Sequence, residues 1–459
     1  MAAIRTKIRC VLMHLSLYVN KYPFFKSWII RVLGRFPTLK KKIYKLMQVK
    51  IQKYDSGIGV RADLSALLER LADQPPVTSG RQLFVDISEL LRTDGKSGIQ
   101  RVVRSVLRQL CIQSLKEFRV EPVYAIPGTQ GYRYVRHLCP EYRDSLDLST
   151  DEFIKFDAGD VFLGLDLQPQ IVLTNQPFYQ QLRQHGVRVE FVVYDLLPVL
   201  MPQAFAEGTY GPHQAWLEVI AQGDGAICIS QAVADELKQW LAENELLQPA
   251  FKIDWFHLGA DIDASVPSKG KPDQAVTLLN RMSERPAFLM VGTLEPRKGH
   301  RQVLAAFDLL WNKGVEASLV IVGKRGWIMD KFVEYMSGHP ESGRRLFWIE
   351  GASDEYLESI YAASVCLIAA SEGEGFGLPL IEAAQHHKCI IARDIPVFRE
   401  VAKGHALYFS GVSPVDLAKV VENWLALFQQ GQAPSSEGMS WLTWEQSTKS
   451  LLAKLLPKN

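Results

Sequence analysis

Two glutamates flank a glycine-rich turn near the end of the chain. Glu374 and Glu382 lie eight positions apart in the segment SEGEGFGLPLIEAA, residues 371–384, which follows the apolar run SVCLIAA. Pro379 occupies a favourable first position for a helix, and a helix N-terminus offers free backbone N–H groups. N–H groups donate to sugar oxygens, whereas carboxylates accept from sugar hydroxyls. The segment therefore predicts a polyhydroxyl ligand held by both carboxylates.

A dinucleotide-binding loop is one alternative for these glycines. Gly373 and Gly375 fit the first half of the G-x-G-x-x-G fingerprint, and Asp394 ends the next apolar run about 20 residues later. Leu378 stands where the third glycine belongs, and Glu374 would face the pyrophosphate. In a second alternative, the two glutamates bind no ligand, and both are there because a negative charge is stabilised near the positive N-terminal end of a helix dipole.

A basic loop supplies the opposite charge. The segment VGTLEPRKGH, residues 291–300, places Arg297 and Lys298 between an apolar run and a helical pattern. Arg binds phosphate through paired hydrogen bonds and Lys binds it as a point charge, while a helix N-terminus strengthens such a site. The loop therefore predicts a phosphate site, although a solvated basic turn would have the same composition.

Three more segments place polar groups after apolar runs. Gly98, in DGKSGIQRVVR, belongs to a glycine turn that could approach a phosphate or sugar, or could be a tight turn only, and it does not match the P-loop pattern. Tyr194 and Asp195 end the run VVYD, and Asp195 could accept from a substrate hydroxyl or cap a helix. The segment GKRGW, residues 323–327, could line a base or ribose pocket.

The elements that must position these loops are parallel strands. From residue 82 onward short apolar runs alternate with helical patterns, which is typical of sheets covered by helices on both faces. The series restarts after a Pro-, Gly- and Lys-rich break near residues 262–285, so the sequence predicts two doubly wound α/β domains. Ligands of such sheets bind beyond the carboxyl ends of the strands. A last helix is expected from about residue 441 to residue 456.

Charge is distributed unevenly along the chain. The net charge of the 459 residues is +2, but residues 1–54 contain 13 Lys or Arg and no acidic residue, which leaves −11 for the remainder. Apolar and aromatic residues recur there at helical spacing, as in amphipathic helices on an anionic membrane surface. A helical hairpin packed on the body or on a partner is the alternative. Nucleic acid is not favoured, because no recognition module follows and the body is acidic.

Composition excludes several other classes of protein. Hydrophobic residues make up 47% and charged residues 22% of the chain, an ordinary globular balance. No apolar run reaches the roughly 18–20 residues of a membrane-spanning helix. The six cysteines show neither zinc nor disulfide spacing. The sequence therefore predicts a reduced, cytoplasmic protein without a structural metal.

Together these motifs resemble the retaining glycosyltransferases of family 4, which have the GT-B fold. The resemblance covers roughly residues 82–430 and rests first on the E-x7-E signature of Glu374 and Glu382. The segments VGTLEPRKG, IVGKRGW, DGAICIS, FHLGAD and RDIPVFREV support it. GIQRVVR and YDLLP are similar to bacterial mannosyl- or rhamnosyltransferases that build O-antigen and related polysaccharides.

The resemblance implies roles for individual residues. Glu374 and the backbone of residues 375–377 would hold the donor sugar, and Glu382 would accept from the ribose hydroxyls. Arg297 and Lys298 would stabilise the leaving diphosphate in place of a metal, and Arg297 would replace an Arg that many relatives have where Thr293 stands. The implied catalytic residues are Glu374, Arg297 and Lys298. The implied donor-binding residues are Gly375, Phe376, Gly377, Glu382, Gly292, Gly323, Lys324 and Gly98. The implied acceptor-side residues are Asp195 and Tyr194.

The resemblance also implies a domain organisation. We expect a basic helical extension and linker over residues 1–80 and an acceptor-side Rossmann-like domain over residues 81–265. A nucleotide-sugar-binding domain would occupy residues 266–430, and residues 431–459 would form a helix that packs back on the first domain. The two domains would face a cleft.

The implied activity is a metal-independent, retaining transfer of mannose, or of a deoxyhexose such as D-rhamnose, from a GDP-sugar. The acceptor would be a polyprenyl-diphosphate-linked glycan of O-antigen or another surface polysaccharide, and no cofactor would be needed. The enzyme would lie in the cytoplasm against the inner face of the membrane, docked through residues 1–54 and accompanied there by other glycosyltransferases. The alternatives are a sugar-nucleotide epimerase of the same fold and a non-catalytic glycan-binding subunit.

Overall fold

The computed structural model describes residues 80–92, 97–113, 115–135, 151–261 and 268–456. All of them belong to one compact unit, Asp63–Asn459, which is separate from the unit Met1–Ala62. The basic segment 1–54 and the linker up to residue 79 lie outside the described residues, so the membrane prediction remains a prediction.

Two sheets organise the described residues. The first has the order β3-β2-β1-β4-β5-β6-β7, parallel except for the antiparallel pair β2 and β3, and the second has the all-parallel order β10-β9-β8-β11-β12-β13. The strands are β1 (Arg81–Asp86), β2 (Phe118–Tyr124), β3 (Arg133–Tyr134), β4 (Val161–Gly164), β5 (Arg188–Val193), β6 (Gly225–Cys228), β7 (Lys252–Trp255), β8 (Ala287–Val291), β9 (Ser318–Val322), β10 (Leu346–Ile349), β11 (Cys366–Ala369), β12 (Cys389–Arg393) and β13 (Leu407–Phe409).

Helices connect and cover these strands. They are α1 (Ser88–Arg92), α2 (Gly98–Ile112), α3 (Pro169–Thr174), α4 (Gln176–Gln184), α5 (Leu197–Leu200), α6 (Tyr210–Ile220), α7 (Gln231–Glu243), α8 (Ala275–Ser283), α9 (His300–Asn312), α10 (Asp330–Ser337), α11 (Asp354–Ala363), α12 (Leu378–Gln385), α13 (Pro396–Ala402), α14 (Pro414–Gln429) and α15 (Trp444–Leu455). Short 3-10 helices occupy Pro202–Ala204 and Pro296–Lys298.

The order of the second sheet fixes where its loops meet. Starting from β8, the chain adds β9 and β10 on one side and then β11, β12 and β13 on the other. The direction reverses between β8 and β11, and this reversal is the place where doubly wound sheets bind ligands. The loops that carry Arg297 and Glu374 follow these two strands, so the fold brings them together.

The predicted break near residues 262–285 is partly wrong. Helix α8 fills its second half, burying Ala275 and Met282 on one side, seven residues apart, and packing against α11. The Pro-, Gly- and Lys-rich stretch that precedes the helix concealed this short apolar face.

The C-terminal helix begins three residues later than expected from Trp441. Thr443 caps it, because its hydroxyl accepts from the N–H of Gln446, whose side chain accepts from the N–H of Thr443 in return. This helix, α15, packs against α2 of the first domain, and the Ser447 hydroxyl donates to the His257 carbonyl at 2.7 Å.

A carboxylate of the second domain caps a helix of the first. Glu400 in α13 accepts from the N–H groups of Gln231 and Ala232, at 2.8 and 2.9 Å, which are the first two residues of α7. His257 Nε2 lies 2.6 Å from the same carboxylate. Burial alone would raise the pKa of Glu400, but the hydrogen bonds from His257 and the two N–H groups lower it below its ordinary value.

Glu400→Gln should lower the free energy of unfolding at pH 7 by about 1 kcal/mol, because a charged acceptor at a helix N-terminus is lost. A carboxyl with a lowered pKa contributes stability above its unfolded-state pKa, and this contribution disappears as the pH falls through the folded-state value. Urea unfolding of both proteins should therefore show a difference that closes below about pH 4.

Glu422→Gln is the matched control, because Glu422 pairs with Lys313 on the surface. It should change the free energy of unfolding by less than about 0.5 kcal/mol. A difference between Glu400→Gln and the wild type that stays constant down to pH 3 would contradict the assignment.

Candidate active site

Glu374 lies at the centre of a largely buried ion cluster. Its Oε1 accepts from Lys298 Nζ at 2.5 Å and from the Ser371 hydroxyl at 2.6 Å. Its Oε2 lies 3.2 Å from Arg297 Nη1, and Arg297 Nη2 lies 2.9 Å from Glu295 Oε2. The structure thus brings together the three residues predicted to be catalytic.

Two loops must pack backbone against backbone to build this cluster. The Glu372 N–H donates to the Arg297 carbonyl at 2.8 Å, which joins the loop after β11 to the loop after β8. Gly299 sits at this crossing with φ of +74°, and a Cβ there would lie 2.4 Å from the Ala370 carbonyl oxygen. Only glycine allows this approach, so the RKG sequence positions both cations.

Glu374 and Arg297 remain charged at neutral pH. Burial opposes ionisation of Glu374, but the positive charges of Lys298 and Arg297 lower its pKa to about 2. For Arg297, burial is outweighed by Glu374 and Glu295, so its pKa is raised. Burial raises the pKa of Glu295 despite both cations. The site therefore holds two cations that one deprotonated carboxylate already neutralises in part.

The second glutamate of the signature is held separately. Glu382 is buried, and its Oε1 accepts from Arg101 Nη1 of the first domain at 2.8 Å. Its Oε2 accepts from the Tyr361 hydroxyl at 2.9 Å. Because each carboxylate oxygen has two lone pairs, Glu382 retains acceptor capacity, and its ribose contact stays a prediction.

The glycine loop touches both domains. A Cβ on Gly375 would lie 2.1 Å from the Tyr194 carbonyl oxygen, so the loop requires glycine for this approach. The Ser230 hydroxyl donates to the Gly375 carbonyl at 2.8 Å. Phe376 is buried with its ring 5.3 Å from that of His257, and Gly377 precedes α12 with φ of +102°.

The remaining donor-side residues lie at the edges of this site. Gly292 and Gly323 directly follow the neighbouring strands β8 and β9, and the Gly292 N–H donates to the Val322 carbonyl at 2.9 Å. Lys324 is exposed. Gly98 is the first residue of α2, and no atom lies within 4 Å of a Cβ built there, among the residues that the structure describes. Their donor contacts stay predictions.

Tyr194 has its hydroxyl engaged within the first domain, and its acceptor-side role stays a prediction. Its side chain is buried in the first domain, where the hydroxyl donates to the Leu165 carbonyl at 2.7 Å. Tyr194 directly follows β5, and its carbonyl meets Gly375. Asp195 is half-buried and accepts at 3.1 Å from the N–H of Leu197, the first residue of α5. Its acceptor-side role stays a prediction.

Sequence reasoning missed His300. Its imidazole lines a narrow pocket with Lys298, Glu374 and Gly377. Burial, together with the charge of Lys298, lowers the pKa of His300 to about 3, so the ring is neutral. Its Nδ1 is buried without a hydrogen-bond partner among the described residues. The signal was present, because His300 ends the quoted VGTLEPRKGH segment.

Trp327 of the GKRGW segment reaches the first domain. Its indole N–H donates to the Ala204 carbonyl at 2.9 Å, and its ring stacks on Phe205 with centroids 5.6 Å apart. The guanidinium of Arg297 lies 5.9 Å from the centre of the same Phe205 ring. Phe205 therefore borders the ion cluster from the first domain, and Trp327 packs on it from the second.

Neither a metal cluster nor a membrane span is found in the described parts of the chain. Within residues 80–92, 97–113, 115–135, 151–261 and 268–456, no three His, Cys, Asp or Glu side chains are grouped so that they could hold a metal ion. No helix in the same ranges has the length and hydropathy required to cross a membrane.

Solved structures share this architecture. The N-terminal domain of Candida albicans trehalose-6-phosphate phosphatase aligns with a TM-score of 0.57 and 13% identity, covering 83% of this chain and 98% of that one. Anabaena Alr3699/HepE in complex with UDP aligns with a TM-score of 0.50 and 13% identity, covering 82% of this chain and 95% of that one. Two facing Rossmann-like sheets of this kind are the GT-B fold.

The sequence comparisons match part of the chain to a known family. Residues 279–433 match the family of glycosyl transferases group 1. The chain therefore carries a glycosyl transferases group 1 domain within a GT-B fold.

Its relatives include bacterial mannosyltransferases. The chain is 46% identical over 379 residues to the serotype-specific mannosyltransferase WbdA of Escherichia coli, covering 82% of this chain and 46% of WbdA. It is 34% identical over 117 residues to the O-antigen chain mannosyltransferase B of Escherichia coli, covering 25% of this chain and 30% of that protein. The chain thus spans about half the length of the WbdA relatives that it matches.

Lys298→Met should reduce the free energy of unfolding by about 2 kcal/mol, because it leaves the buried Glu374 carboxylate with one cation fewer. Adding Glu374→Gln should recover part of this loss. Urea unfolding of the two single variants and the double variant should give a coupling energy of at least about 1 kcal/mol.

The matched control is a double-mutant cycle on the exposed ion pair of Lys313 and Glu422, whose Nζ and Oε1 atoms are 2.7 Å apart. Its coupling energy should be below about 0.5 kcal/mol, because water screens both charges. Equal coupling energies in the two cycles would show that the Glu374 cluster does not hold the loops together.

Proposed function

We propose that this chain is a retaining, metal-independent glycosyltransferase that moves mannose from a GDP-sugar to a lipid-linked glycan of O-antigen or a related surface polysaccharide. The carrying observation is the ion cluster in which Lys298 and Arg297 hold Glu374 at the carboxyl edge of the second sheet. Similarity to the mannosyltransferase WbdA supports mannose over the deoxyhexose alternative.

The donor would replace the contacts of Glu374 with Lys298 and Arg297 by contacts of its own with all three side chains. Its diphosphate carries the negative charge that Lys298 and Arg297 attract, and the sugar hydroxyls donate to the oxygens of Glu374. Both requirements are met at the N-terminus of α12, which begins after Gly377. Glu382, in the same helix, would accept from the ribose hydroxyls.

The chemical step would break the bond between the sugar C1 and the diphosphate oxygen, and the electron pair would leave with the diphosphate. The acceptor hydroxyl would attack C1 from the same face and give its proton to the departing phosphate oxygen, so the anomeric configuration is retained. Lys298 and Arg297 would stabilise the negative charge that grows on the leaving group. Because two side chains supply this charge, no metal ion is required.

The proposal extends to the acceptor and the location. A polyprenyl-diphosphate-linked glycan would reach the cleft from the inner face of the cytoplasmic membrane. Residues 1–54, with 13 basic and no acidic side chains, would bind its anionic lipids, each basic residue contributing about 1 kcal/mol near the surface. Other glycosyltransferases of the same pathway would be neighbours there.

Lys298→Ala and Glu374→Gln should each lower the transfer of radiolabelled mannose from GDP-mannose to a lipid-linked acceptor by about 100-fold or more. Lys313→Ala removes an exposed lysine that pairs on the surface and should leave the rate unchanged. Initial rates would be measured on the full chain, with folding checked by circular dichroism. Rates near that of the wild type in both site variants would refute the assignment.

The same assay separates the remaining alternatives. Mannose transfer should be insensitive to EDTA, and a loss restored by Mg²⁺ would contradict the role given to Arg297 and Lys298. An isomeric sugar nucleotide formed without acceptor would favour the epimerase. Failure to bind GDP-mannose or any other sugar nucleotide in calorimetry would favour a non-catalytic subunit.

Removal of residues 1–54 should move the protein from the membrane fraction to the soluble fraction of a cell lysate, because the lipid-binding charge is lost. The control replaces seven of the Lys residues in this segment with Gln, which keeps its length and should give an intermediate distribution. A full-length protein that is already in the soluble fraction would contradict membrane docking.

A further inference from the structure

A second pocket lies at the opposite end of helix α12 from the glycine-rich loop. It has a volume of about 430 Å³ and begins at Ala384 and Gln385, in the last turn of the helix. The eight residues of α12 rise about 12 Å, so this pocket is separate from the ion cluster at Glu374.

The pocket borders the two segments that cross between the domains. Asp261, at the end of one segment, accepts from the Trp444 N–H at 2.5 Å, at the start of α15. Gly259 and Leu442 form a parallel bridge between the same segments. Gln385 fixes α12 to this crossing by donating to the Ala260 carbonyl at 2.9 Å. A ligand here would therefore contact the hinge of the molecule.

The lining of the pocket excludes anionic ligands. Its charged members are the carboxylates of Asp261, Glu358 and Glu437, and neither Lys nor Arg is among the described residues that line it. Burial lowers the pKa of His386 below its ordinary value, so this imidazole is neutral at pH 7 and can both donate and accept. Phosphate groups and nucleotides would meet three carboxylates and neither Lys nor Arg among the described lining residues.

The same lining suits a neutral saccharide. Carboxylates accept from sugar hydroxyls, and the indole of Trp441, which is 39% exposed, offers a flat apolar face for the C–H side of a sugar ring. Ser436 is 2% exposed and lines the pocket, and its hydroxyl has no hydrogen-bond partner among the described residues. A buried polar group of this kind is expected to find its partner in a ligand or water.

A chain of contacts links the pocket to the predicted ribose carboxylate. The ring of His386 stacks on that of Tyr361, with centroids 5.2 Å apart and an angle of 4° between the planes. The Tyr361 hydroxyl donates to Glu382 at 2.9 Å. An occupant of the pocket that contacts His386 is thus two side chains away from Glu382.

We propose that the pocket formed by Asp261, Glu358, Gln385, His386, Ser436 and Trp441 binds a neutral stretch of the glycan, away from the end that reacts. The identity of the sugar rests on the proposed function, whereas the preference for a neutral polyhydroxyl ligand rests on the pocket itself. Binding there tethers the glycan to the hinge while its end occupies the cleft.

The test uses a linear α-mannotetraose as probe, titrated into the full chain by calorimetry without any sugar nucleotide. Trp441→Ala and the conservative Glu358→Gln should each weaken binding about 10-fold or more, the second by removing a charged acceptor. Tyr335→Ala, which removes an exposed ring elsewhere on the second domain, is the matched control and should bind as the wild type does. Circular dichroism and melting curves confirm that each variant folds.

Unchanged affinity in both Trp441→Ala and Glu358→Gln would overturn the inference, since it would place the tetraose in the cleft. Absence of binding to the wild-type chain at millimolar tetraose would overturn it too. If both variants lose the tetraose while no sugar nucleotide supports transfer, the pocket stands and the proposed activity fails. If transfer proceeds and the variants bind normally, the activity stands and the pocket fails.

Discussion

The pairing of one largely buried carboxylate with two cations is the constraint on which the cleft depends. A buried charge is costly unless it is paired and hydrogen-bonded, so Glu374 requires Lys298, Arg297 and Ser371 in place. This requirement joins the loop after β8 to the loop after β11, which are neighbours because the strand order reverses between them. The topology of the sheet and the charge of the site therefore support each other.

The relation of the two domains depends on the same loop. Gly375 packs against the Tyr194 carbonyl and accepts a hydrogen bond from Ser230, so the first domain contacts the segment that carries Glu374. Glu400 of α13 adds a second connection between the domains by accepting from the first N–H groups of α7. A rotation of one domain would disturb the glycine loop before it disturbed either sheet. The geometry of the site therefore depends on the relative position of the two domains.

Local sequence patterns predicted much of this and failed where contacts are distant. Apolar runs predicted both sheets, and the residue types after those runs singled out Glu374, Arg297 and Lys298 as site residues. The pairing of Glu374 with the two cations was not predicted, and helix α8 was concealed by the composition of the segment before it. Arg101 and Glu382 are 281 positions apart in the sequence, and their hydrogen bond exists only once the two domains face each other.

The closed state of the ion cluster has a consequence for selectivity and turnover. A simple anion such as inorganic phosphate would have to displace Glu374 from its cations and would leave that carboxylate buried without donors. A ligand that brings a diphosphate and sugar hydroxyls together satisfies both sides. Under the proposed function, the nucleotide left after transfer would no longer offer the hydroxyls of the donor sugar to Glu374, which would then compete for Lys298 and Arg297 again. The carboxylate that receives the donor would in this way also help to expel the spent nucleotide.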